Sequence, residues 1–235
     1  MKIGISIATY RKPDGSTKEL LTRALESIKN QTHQDYKVFL IGDKYDDVDE
    51  FNEIATSIIP PEKIYYENLP YAKERDKYFG VNNMALWTSG GCNARNHANS
   101  VASNELTYVC QLDHDAYYLP NHLSNIVNAI QKYPDAAFIY TLAKHLFFDV
   151  FPHVKADGSI IEKLPEPSNV THSSVCINNR LIPFKYRDVL EETGKIDPSD
   201  ADMWRRISEL SNSTGIKSYL ICEVTCVNET ENKLF

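Results

Sequence analysis

No stretch of the 235-residue chain comes near the roughly 18 consecutive apolar residues that a membrane-spanning helix needs, so no membrane span is expected. The opening residues, MKIGISIATY, form an apolar run too short and too soon followed by charge to serve as a signal peptide. An excess of positive charge is lacking too: 25 Lys and Arg stand against 32 Asp and Glu, for a net charge of −7. Binding to a phosphate backbone draws on clustered cations that release counterions, so nucleic acid is not an expected partner. The cysteines number five and include no Cys-x-x-Cys pair, which argues against a disulfide framework and for a reducing compartment. A soluble, cytoplasmic protein is the expectation. Internal repeats, low-complexity tracts and linkers are missing as well, and no break in composition divides the chain, so residues 1–235 are expected to form a single domain.

What is present is an alternation of strand and helix patterns. KIGISIATY reads as a strand buried on both faces, followed by a polar loop from Arg11 to Gly15. Ser16 to Glu19 has the spacing of a capping box, and Leu20, Leu21, Ala24, Leu25 and Ile28 recur on one helical face behind it. YKVFLIGD predicts a second strand ending at Asp43, and Val48, Phe51, Ile54, Ala55 and Ile58 predict a second helix before Pro60. KIYYENL predicts a third strand. The tyrosine-rich, charged stretch from Pro70 to Asn83 shows no period and is expected to be a functional or mobile loop. A helix with a small-residue face is expected from about Gly91, then a strand over LTYVCQL, then a helix whose first turn holds Pro120. Farther on, Asp157-Gly158 suggests a hairpin over 145–163, THSSVCI a strand, residues 200–210 a helix and IKSYLICEV a last strand. Strands alternating with helices imply an open parallel sheet whose ligand crevice lies beyond the strands' carboxyl ends.

The chemistry concentrates where VCQLDHD ends a strand. If strand geometry persists, Asp113 and Asp115 share a face and His114 points away; if it has ended, the two acids splay into different jobs. Buried uncompensated carboxylates cost several kcal/mol, about enough to demand a neutralising divalent cation. An all-oxygen set suits Mg²⁺ or Mn²⁺ better than Zn²⁺. The plainer alternative is an exposed acidic turn capping the next helix. Upstream, GGCNARN sits just before a helix, where backbone amides and Arg95 can face an anion. Asp43, like Asp113, ends a strand and falls at the same sheet edge.

Together these stretches resemble family 2 glycosyltransferases of the GT-A fold. ISIATYRKP is similar to that family's first strand and nucleotide loop, VFLIGD to its second strand with a base-binding Asp, and GGCNARNHANSVASNELTYVCQLDHD to its G-x-x-x-A-R-N helix followed by the D-x-D strand. SDADMWRR, residues 199–206, resembles the family's E-D-x-D-L-W-x-R segment. The resemblance implies an α/β GT-A fold, a Rossmann-like open mixed sheet flanked by helices with a small C-terminal acceptor-side subregion. It further implies a nucleotide-sugar-binding half over 1–115 and an acceptor-binding half over 116–235. Thr9, Tyr10 and Asp43 would hold the nucleoside, Arg95 would lie near the base or diphosphate, and Asp113 would contact ribose or metal. Asp115 would be the firm ligand of Mn²⁺ or Mg²⁺, and Asp200 the general base. The donor implied is a nucleotide sugar, with UDP preferred on family grounds, and the acceptor a glycan or other hydroxyl compound.

Three departures from the family pattern stand out. Ser199 replaces the usual Glu, GDKYDD replaces D-D-G-S, and the late histidine that often completes the metal site is missing, the last His being His172. An inverting transfer needs a base on the face opposite the leaving diphosphate, a role the resemblance gives to Asp200; Asp202 is the rival, but four residues from Arg206 on a helix it suits an ion pair better. Glu191 and Glu192 are weaker base candidates, Trp204 is expected in the core or the acceptor wall, and His97, His114 and His122 are expected to be ordinary polar residues. Two other functions compete: a nucleotide-sugar-binding module without transfer activity, and a D-x-D phosphatase. The second usually carries its motif near the N-terminus, whereas here it is mid-chain.

Overall fold

The computed structural model describes residues 1–145 and 148–228. β1 (Ile3–Thr9), α1 (Thr17–Lys29), β2 (Tyr36–Gly42), α2 (Val48–Ser57) and β3 (Ile64–Asn68) follow one another as the periodicities predict. β2 lies parallel to both β1 and β3, and β4 (Tyr108–Gln111) joins the other edge of β1, also in parallel. The chain thus steps outward from β1 in one direction and then in the other, and a crevice opens where the order reverses. The second half extends the same sheet: β9 (Val175–Asn178) runs antiparallel to β4, β6 (Ala136–His145) antiparallel to β9, and β10 (Lys217–Asn228) parallel to β6. β5 (Tyr117–Tyr118) closes that edge against β10. The result is the expected GT-A arrangement, an open mixed sheet flanked by helices.

Both sheet faces are covered, which is why the central strands are apolar on each side. On one face, Leu21, Leu25 and Ile28 of α1 and Leu123 and Ile126 of α6 (His122–Lys132) pack in one cluster with Ile3, Ile5 and Ile7. On the other, Ala94, Ala98 and Ala102 of α5 (Cys92–Glu105) let that helix settle against Phe39, Ile41 and Val109. α8 (Ser199–Thr214) places Met203, Trp204 and Ile207 on Phe138, Tyr140 and Leu220. Each fully buried side chain of this kind contributes about 1.5–3 kcal/mol.

Several local expectations are corrected. Residues 70–83 are not a loop: α3 (Lys73–Tyr78) forms within them, and α4 (Asn83–Ser89) begins at their end with the Asn82 side chain accepting from the Ala85 amide. Short helices of six and seven residues leave too few turns for a period to register. The capping box does not close, because the Ser16 amide and hydroxyl both bond to Asp14 and Ser16 itself adopts helical geometry. α6 starts at His122, so Pro120 precedes it rather than filling its first turn. The hairpin over 145–163 is replaced by two strands with different partners: β7 (Phe148–Phe151) pairs with β6 and β8 (Ile160–Glu162) with β10. Residues 146–147 of that expected hairpin lie outside the described residues. THSSVCI is strand only from Val175; His172–Ser174 form a 3₁₀ turn. α7 (Val189–Thr193) has no counterpart in the expectations. Among the described residues no helix is long and apolar enough to cross a membrane.

Candidate active site

β1, β2 and β4 end side by side, and the residues that follow each strand line one cleft of about 1660 Å³. Thr9 and Tyr10 come from the end of β1, Asp43 from the end of β2, Asp113, His114 and Asp115 from beyond β4, Arg95 from α5, and Asp200 from the first turn of α8. All seven side chains singled out for donor, metal or base roles therefore border the same space.

Asp43 is 1% exposed. Its Oδ2 accepts from Arg75 Nε at 3.1 Å, while Arg75 Nη2 bonds to the Asp43 carbonyl and the guanidinium lies over the Tyr10 ring, 4.7 Å from its centre. Oδ1 is buried with no hydrogen-bond partner among the described residues. Burial pushes the Asp43 carboxyl upward, against the pull of Arg75. An orphaned acceptor in such a place is costly unless a ligand donor completes it. Gly42 makes this corner possible: a Cβ there would stand 2.5 Å from Asn68 Oδ1, which accepts from the Tyr45 amide and so ties down the loop behind Asp43.

Asp113 is clasped from three sides. Arg95 Nη2 lies 3.1 Å and His172 Nδ1 3.0 Å from its Oδ1, and the Ser173 hydroxyl donates to Oδ2 at 3.0 Å. Burial alone would raise its pKa, but His172, Arg95 and Ser173 outweigh it and hold the carboxyl well below the usual range. Asp115, 6% exposed, pairs with Lys12 Nζ at 3.2 Å, and its carbonyl accepts from Arg23. The two acids splay, with separate partners, so the strand has ended before Asp115. His114 is buried edge-on to Tyr10, and burial keeps it neutral by lowering its pKa.

The expected anion site at the start of α5 is corrected. Gly90 and Gly91 are both required: a Cβ on Gly90 would meet the Leu86 carbonyl oxygen at 2.6 Å, and Gly91 has φ of +80°. Yet the Asn93 amide donates to buried Glu74 of α3, so the protein supplies an anion of its own there. Arg95 lines the cleft, with its charge on Asp113.

On α8 the two acids separate cleanly. Asp202 is buried and takes Arg187 in a two-point pair, Nε to Oδ2 at 2.8 Å and Nη2 to Oδ1 at 2.7 Å, and Arg206 Nε at 2.8 Å. Asp200 faces the cleft and bonds, among the described residues, to the amide of Ala201. Glu191 pairs with Lys73 and Lys77, and Glu192 with Arg187, away from the cleft. Trp204 is a core residue, edge-on to Phe138. His97 pairs with Glu67, and His122 stacks on Tyr118 and meets Thr225.

A divalent cation is partly provided for. Among the described residues no three His, Cys, Asp or Glu side chains gather as a ready metal cage. Asp115 still offers a hard oxygen at the cleft, the donor type that Mg²⁺ and Mn²⁺ take when phosphates and water complete the shell. Asp113 is already committed to its three partners and fits the role less well.

Residues 5–155 match the family described as glycosyl transferase family 2. An uncharacterized glycosyltransferase, R139 of Acanthamoeba polyphaga mimivirus, is 35% identical over 242 residues, covering 100% of this chain and 96% of its own. The chain belongs to glycosyl transferase family 2. This family 2 enzyme also shares its fold with Staphylococcus aureus TarS 1–349 in complex with UDP, at a TM-score of 0.67 and 14% identity over 97% of this chain. The mannosyltransferase PcManGT from Pyrobaculum calidifontis, in complex with GDP-Man and Mn²⁺, aligns over 98% with a TM-score of 0.60 and 14% identity. The chain spans 60% and 57% of those two structures.

For this glycosyltransferase the sequence reading gave no site role to four residues that line or brace the cleft: Lys12, Arg75, His172 and Ser173. Lys12 sits in the loop RKP, which resembles the family's nucleotide loop, but nothing in the resemblance singled out its side chain. Arg75 lies in the stretch taken for a loop. His172 and Ser173 reach Asp113 only because a 3₁₀ turn interrupts the expected strand.

Proposed function

We propose that this chain transfers a sugar from a nucleotide diphosphate, by preference a UDP-sugar, to a hydroxyl acceptor with inversion at the anomeric carbon. The observation that carries the reading is the shared cleft: the Asp43–Arg75 corner, the Asp113 and Asp115 carboxylates and Asp200 on the first turn of α8 border one space. The chemistry of the corner suits uracil, whose imino N–H matches the unpartnered Asp43 Oδ1 and whose carbonyl oxygen matches a donor such as Arg75. Tyr10 offers a ring face beside them. The division of labour proposed is residues 1–115 for the donor and 116–235 for the acceptor.

Asp115 would hold Mn²⁺ or Mg²⁺ together with the diphosphate, and a cation so placed stabilises charge on the departing phosphate oxygen by several kcal/mol, about the contribution other electrostatic sites make. Asp113, fixed by Arg95, His172 and Ser173, positions the ribose side of the donor. Asp200 takes the proton from the acceptor hydroxyl as its oxygen attacks the anomeric carbon. TarS in complex with UDP-GlcNAc and PcManGT with GDP-Man and Mn²⁺ support a nucleotide-sugar donor for this fold and leave the choice of base open.

The test compares wild type with Asp200→Asn for release of nucleotide from a panel of sugar nucleotides with Mn²⁺. Turnover is expected to fall by about 10²–10⁴ while thermal shift by the donor persists, the signature of losing a base but not a binding group. Donor binding with no turnover in the wild type supports the inactive module instead.

A further inference from the structure

Resting on that reading of the cleft, we infer that Lys12 is a built-in counter-cation of the metal site: its ammonium occupies Asp115 until donor and divalent cation arrive, then transfers to the donor's phosphate. Lys12 belongs to the loop after β1, and its backbone is pinned, since its amide donates to Thr17 Oγ1 at 2.8 Å while that hydroxyl donates to the Tyr10 carbonyl at 3.0 Å. Thr17 is fully buried, so the loop has a fixed base from which a long side chain reaches 103 residues along the sequence to Asp115 Oδ2, 3.2 Å away. Both side chains are largely sheltered, with 14% and 9% of their surface exposed. A sheltered carboxylate needs a positive partner, and an ammonium on a flexible four-carbon stem supplies a point charge that can also leave.

The exchange follows from charge. A divalent cation and an ammonium repel, and both compete for the Asp115 carboxylate. A nucleotide diphosphate brings the negative oxygens that a displaced ammonium seeks, and Lys12 already lines the cleft in which it would lie. The metal alone must therefore expel Lys12 with no phosphate to receive it, whereas metal with donor exchanges one ion pair for two. No covalent bond forms or breaks in this exchange. This device gives a site with few protein ligands a reason to take its metal together with the nucleotide, through a coupling that must hold in both directions.

The experiment measures Mn²⁺ binding without nucleotide by electron paramagnetic resonance, and UDP binding in EDTA by calorimetry, for wild type, Lys12→Met, Lys12→Arg and Asp115→Asn. Lys12→Met is expected to tighten Mn²⁺ about fivefold and weaken metal-free UDP about tenfold, effects of opposite sign that a damaged fold does not produce. Lys12→Arg, keeping the charge, is expected to stay within about threefold of wild type in both measurements. Asp115→Asn is expected to lose Mn²⁺ binding. Unchanged or weaker Mn²⁺ binding in Lys12→Met, with Mn²⁺ and UDP still bound by wild type, overturns the inference alone. A wild type that binds neither Mn²⁺ nor UDP overturns the nucleotide-sugar reading and this inference with it.

Discussion

At the scale of single residues, neighbouring acids in and behind this cleft are told apart by their partners. Asp113 has Arg95 and His172, Asp115 has Lys12, Asp202 has Arg187 and Arg206, and Asp200 faces the cleft. Spacing alone foresaw one of these pairs, Asp202 with Arg206 four residues away on a helix. It could not foresee Arg187 or His172, because no local rule links residues that only the tertiary fold brings together. The Asp202 pairs make a prediction about acid stability. Burial opposes ionisation, yet Arg187 and Arg206 prevail and lower the Asp202 pKa. A depressed carboxylate contributes stability that is in place above its unfolded pKa of about 4 and is lost as pH falls through the lower folded value. Asp202→Asn is expected to cost about 2 kcal/mol at pH 7, below the usual loss for a buried pair because Arg187 is 30% exposed. Urea unfolding at pH 7 and pH 3 checks this: the gap between the two proteins should narrow in acid.

Among elements, the strands and long helices were legible and the short pieces were not. β1, β2 and α1 carry continuous or 3.6-residue apolar patterns because each is buried against a packed neighbour. α3 and α4 contain so few turns that sequence offers no period, although Arg75 and Glu74 both act from α3. Glu74 on the Asn93 amide likewise explains why a glycine-led helix start, read in isolation, looked like a ligand's anion site. Gly42 shows how an element's last residue sets the site. Gly42→Ala forces a methyl onto Asn68, whose side chain holds both the amide and the carbonyl of Tyr45. The expected result is a loss of about 1–3 kcal/mol, typical of overpacking, seen in thermal unfolding. Because the strain falls beside Asp43, UDP affinity should fall as well.

Across the whole molecule, the parallel half and the mixed extension share one sheet, and the cleft opens where strand order reverses. The motifs, scattered from Thr9 to Asp200, made the site legible in advance because strand ends in such a sheet converge. Which charges meet inside the cleft was not legible, since that depends on loop paths and turns with no periodic signal. We propose that turnover is a single displacement driven by Asp200 opposite a departing diphosphate. Proton NMR of the sugar first released from an α-linked nucleotide sugar, with Mn²⁺ and water as acceptor, reads that claim directly. The β-anomer should appear first and mutarotate later, and Asp200→Asn should suppress its release; initial α-anomer, or β-anomer formed equally fast by Asp200→Asn, contradicts the account.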